Sequence, residues 1–101
     1  MKPRFFITGM GIVSPLGVGC RDTVAALISE RRSLSQLTLF PVAHDPALPV
    51  GQVTQLAQDD TLPRTHRLAL MAAREAMRDQ SRPPGAVIVG TTTGGMLRTE
   101  N

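Results

Sequence analysis

A chain of 101 residues, 42% hydrophobic and 19% charged, has the composition of one globular domain and not of a disordered segment. Three Phe, no Tyr and no Trp leave the core to aliphatic side chains and remove the aromatic platforms on which single-stranded nucleic acid would stack. The formal charge of +3 comes from ten Arg and one Lys spread along the chain against eight acids, so there is no polybasic arm and no nucleic-acid partner is expected.

The first element is Arg4-Phe5-Phe6-Ile7-Thr8, β-branched and aromatic and closed by Gly9, which predicts a short buried strand over 4–8. Gly9, Gly11, Gly17 and Gly19, with Pro15, then describe a backbone that turns tightly and comes close to another segment. Asp22 or Thr23 can cap a helix running to about Arg31, with Val24, Leu27 and Ile28 as its buried face. Residues 33–49 hold Pro41, Pro46 and Pro49 and predict a surface loop with Phe40 tucked inward, long for a compact domain. A short strand over 50–53 and a polar turn at Gln58-Asp59-Asp60-Thr61 follow.

The clearest element is the helix predicted over 64–79. At about 100° per residue Ala69, Ala72, Ala73 and Ala76 gather on one side and Arg64, Arg67, Arg74 and Arg78 on the other. The alanine side suits close packing on a sheet, and the Arg side is expected in water. Pro83-Pro84-Gly85 ends the helix, and Ala86-Val87-Ile88-Val89-Gly90 is an unbroken apolar run of the kind that forms a strand buried on both faces. The order β-α-β-α-β predicts an α/β fold: a mainly parallel sheet with helices packed on it.

Several motifs invite chemistry. Thr8-Gly9-Met10-Gly11 after a strand suggests a dinucleotide turn, but the third glycine is missing and no helix starts before about Asp22, so the amide cradle for a pyrophosphate is not in place. Gly90-Thr91-Thr92-Thr93-Gly94-Gly95 has the small, hydroxyl-rich character of a phosphate loop without its Lys or spacing. The single cysteine, Cys20, excludes an internal disulfide and a four-Cys zinc site. His44 and His66 stand too far from it and from each other to form a close-spaced ligand pair, and no metal or cofactor is expected. Gly17-Val18-Gly19-Cys20 loosely matches a lipoprotein cleavage site, but Gly9, Gly11, Ser14 and Pro15 break the helical apolar stretch that export requires. No run approaches the ~20 apolar residues that cross a bilayer, so no membrane partner is expected. On these residues alone, a small non-enzymatic α/β module binding a nucleotide or a protein stays open.

A more specific resemblance is carried by three segments in order. Residues 4–17, Arg4-Phe5-Phe6-Ile7-Thr8-Gly9-Met10-Gly11-Ile12-Val13-Ser14-Pro15-Leu16-Gly17, resemble the opening of the β-ketoacyl synthases, the condensing enzymes of fatty acid and polyketide synthesis. Residues 67–77 are similar to that family's alanine-rich helix. Residues 87–96, from Val87 through Gly90 and Thr93 to Met96, are similar to the strand and glycine turn that follow it. The resemblance implies a thiolase-like fold, with residues 1–101 as an incomplete N-terminal domain. It implies an intact cytoplasmic enzyme acting on acyl thioesters and acyl carrier protein as a homodimer or ketosynthase-like heterodimer, without a cofactor. The nucleophilic Cys of the family, its two His and its Lys would lie beyond Asn101, so the fragment alone is expected to be inactive.

On the same resemblance Cys20 is a bystander, and His44 and His66 match no catalytic position. Thr93 falls where family members line the acyl pocket. Some relatives dock the carrier through basic residues before the alanine-rich helix; the corresponding stretch here is Asp59-Asp60-Thr61, so that docking either falls to Arg64 and Arg67 or is lost. Glu30 and Ser33 stand where the family commonly has glycine near the end of the first helix, which bears on how that helix terminates.

Overall fold

Gly17 and Gly19 shape the first elements of regular secondary structure. In the computed structural model, which describes residues 2–41, 48–56 and 61–92, Val13–Ser14 (β1) and Gly17–Val18 (β2) pair antiparallel across Pro15 and Leu16. Pro15 supplies the fixed φ that a turn uses at its second position, and the Ser14 hydroxyl accepts from the Leu16 amide at 3.2 Å. The Gly19 amide extends the ladder to the Ile12 carbonyl at 2.8 Å. Gly19 then takes φ 102°, a left-handed value that favours glycine, and turns the chain into the helix Cys20–Ile28 (α1).

No side chain caps α1. The expected cap at Asp22 or Thr23 is corrected: both lie inside the helix, and the Thr23 hydroxyl donates back to the Gly19 carbonyl at 2.8 Å. The expected buried face is corrected too. Thr23 and Ala26 are buried, one turn apart, whereas Val24, Leu27 and Ile28 are exposed. The reason is spatial: a Cβ on Gly17 would lie 2.8 Å from the Asp22 Cβ and 3.1 Å from the Thr23 amide nitrogen, so the hairpin sits on the small-residue side of the helix. At its other end the Arg31 amide donates to the Ala26 carbonyl at 3.0 Å and the Glu30 amide to the Leu27 carbonyl at 3.2 Å. This is the paired closure of a Schellman motif, with Glu30 at φ 54° in the place that usually holds glycine. The Arg31 guanidinium donates to the Leu16 carbonyl, tying the helix end to the hairpin turn.

The stretch expected to be a loop contains a strand. Leu34–Gln36 (β3) pairs antiparallel with Pro49–Gly51 (β4), the element expected at 50–53, in the register Leu34 to Gly51, Ser35 to Val50 and Gln36 to Pro49. Pro49 fits as the first residue of a strand, where its missing amide hydrogen costs least. The Gln52 amide group clamps the pair, donating to the Gln36 carbonyl at 3.2 Å and the Thr38 hydroxyl at 2.8 Å. Phe40, expected inside, is exposed.

The second helix, Arg64–Met77 (α2), begins after Pro63 and closes through Arg78 and Gln80 amides on the Glu75 and Met77 carbonyls. Its half-buried residues are Arg64, Arg67, Leu68, Met71, Ala72, Glu75 and Ala76. That stripe lies about a quarter turn from the expected alanine face: Ala72 and Ala76 belong to it, Ala69 and Ala73 are exposed, and of the four arginines only Arg74 and Arg78 are on the open side.

The chain divides into two compact units, Ile12–Gln58 in one and Met1–Gly11 with Asp59–Asn101 in the other. The expected strands at 4–8 and 86–90 have no ladder partner among the described residues. The parallel sheet does not form there; both sheets are two-stranded and antiparallel. Phe5, Phe6 and Ile7 are exposed, as are Val87, Ile88 and Val89, with Ile88 97% accessible.

Candidate functional site

The segment Thr8-Gly9-Met10-Gly11 lies against the C-terminal half of α2. A Cβ at Gly9 would fall on the Ala76 carbonyl oxygen, and one at Gly11 on the Ala72 carbonyl oxygen, with the Ala72 carbonyl carbon at 2.8 Å and the Ala76 nitrogen at 2.9 Å. Glycine on one side and alanine on the other thus bring backbone onto backbone. The contact is held at its edge by Gln80, whose side-chain amide donates to the Thr8 carbonyl at 2.9 Å while the Thr8 hydroxyl donates to the Gln80 side-chain oxygen at 3.4 Å. Where a dinucleotide turn would receive a pyrophosphate, the glycines instead receive a helix, and the next element after Gly11 is β1 rather than a helix N-terminus.

The remaining candidates are not drawn into one constellation. Cys20 is half-buried at the first position of α1, in the unit 12–58. His66 is an exposed residue of α2, in the other unit. His44, Asp59, Asp60 and Thr93 lie outside the described residues. Arg64 and Arg67 sit on the half-buried side of α2 and each engages a partner within the protein, which corrects their expected place on the open face. Gly90 opens into free space, with nothing within 4 Å of an added Cβ, so among the described residues no neighbouring backbone approaches it. No group of three or more His, Cys, Asp or Glu that could hold a metal ion occurs among the described residues, and no helix there is long and apolar enough to cross a membrane.

Two of the residues that fasten the elements were not singled out in the sequence. Gln80 follows α2 as one polar residue among several. Arg31 carries a carbonyl contact that only the return of the helix end to the hairpin creates. The third, Glu30, was marked by its substitution for glycine, and the Schellman closure shows why that position matters.

Comparison with known proteins finds two relatives among the polyketide synthases. The chain is 36% identical over 86 residues to the actinorhodin polyketide β-ketoacyl synthase 2 of Streptomyces coelicolor, an alignment covering 77% of this chain and 21% of that protein. It is 30% identical over 112 aligned positions to the tetracenomycin polyketide synthase ketoacyl synthase alpha subunit of Streptomyces glaucescens, covering 92% of this chain and 26% of that one. The chain is similar to polyketide β-ketoacyl synthases at modest identity over most of its own length, and it spans only about a fifth to a quarter of the length of these relatives. No family model matches it. No solved structure matches it.

Proposed function

We propose that residues 1–101 are the N-terminal portion of a β-ketoacyl synthase of polyketide synthesis, built on a thiolase-like fold. The similarity to two polyketide synthase proteins over most of the chain carries this reading and favours polyketide over fatty acid synthesis. In the intact enzyme a Cys thiolate takes an acyl group from its thioester and releases the carrier thiol. Malonyl-carrier protein then loses carbon dioxide, and the resulting enolate carbon attacks the acyl thioester, forming a carbon–carbon bond and freeing the thiolate. Hydrogen-bond donors aimed at the enolate oxygen supply the electrostatic part of such catalysis.

In this reading residues 1–101 contribute no nucleophile. They contribute scaffold: the glycine segment 8–11 seated on Ala72 and Ala76, with Thr93 near the acyl pocket and Arg64 and Arg67 toward the acidic carrier protein. Support for the arginines is their charge and position at the start of α2.

The experiment is a chimera in which residues 1–101 replace the matching stretch of the tetracenomycin ketoacyl synthase alpha subunit. Decarboxylation of malonyl-carrier protein is expected from the chimera under conditions where the parent is active, and not from the parent lacking that stretch. A folded chimera at the background rate contradicts the reading. Within an active chimera, Thr93→Leu should change the preference among acyl chain lengths, and Arg64→Ala with Arg67→Ala should raise KM for the carrier protein with kcat little changed.

A further inference from the structure

We draw no further inference here: the strongest candidate, the exposed apolar face that Val24, Leu27 and Ile28 form on α1, carries none, because nothing in the structure shows what covers it.

Discussion

The stretches 5–11 and 85–90 read alike as sequences, each an apolar run bounded by glycine, and the structure treats their glycines in opposite ways. Gly9 and Gly11 lie on the backbone of α2, where any Cβ would collide with the Ala76 and Ala72 carbonyls, whereas Gly85 and Gly90 have nothing within 4 Å. The apolar residues of both stretches are exposed. A glycine beside an apolar run therefore has no single meaning. At 9 and 11 it is a demand for space made by a particular helix, and at 85 and 90 no described neighbour makes that demand.

The largest effect that would break this comparison is at Gly11. Gly11→Ala places a methyl group on backbone that cannot swing aside and should destabilise by about 3 kcal/mol, read as a lowered urea midpoint. An unchanged midpoint would detach the glycine segment from α2. Next, Ala72→Leu overpacks the half-buried side of the helix and should cost about 2 kcal/mol. Ala73→Leu, on the exposed side, should stay within about 0.5 kcal/mol; equal losses at the two positions would restore the alanine face expected from the sequence.

Smaller effects sharpen the contrast. Gln80→Ala removes the two contacts to Thr8 and should lower stability by about 1 kcal/mol, modestly because the pair is exposed. Glu30→Gly is the converse case, a position that wants glycine and lacks it. At φ 54° the Glu Cβ crowds the backbone, so the substitution should stabilise by about 1 kcal/mol in thermal melts. Least of all, Gly90→Ala should change stability by less than about 1 kcal/mol, toward stabilisation, since the methyl meets open space and the unfolded chain loses freedom.

What was legible in the sequence follows from how local each signal is. The helix at 64–77 emerged because its period, the following prolines and its alanine content all act within the segment itself. Which side of it is half-buried did not emerge, because that depends on Gly9 and Gly11 reaching Ala76 and Ala72 from more than sixty residues away. The same holds for α1. Val24, Leu27 and Ile28 have the spacing of a buried face, but the hairpin 13–18 packs where Gly17 leaves room, beside Thr23 and Ala26. The strand 34–36 went unread for want of apolar alternation; it is held by pairing with 49–51 and by the Gln52 clamp. For the expected strands at 4–8 and 86–90 the composition is that of sheet interiors, and a ladder needs a neighbour that composition cannot provide. The family resemblance was carried by residue order along three segments, a signal that does not depend on any of these contacts.

The central proposal is that these residues serve a condensing enzyme as scaffold and hold no acyl-accepting centre of their own. The most direct measurement incubates the full 101-residue chain with an acyl thioester and with malonyl-carrier protein and follows the mass of the chain and of its Cys20 peptide. The account predicts no saturable acylation at Cys20, no decarboxylation above background, and no preference of Cys20 for the thioester over a simple alkylating agent. Rapid, saturable acylation at Cys20 that disappears in Cys20→Ser would contradict it.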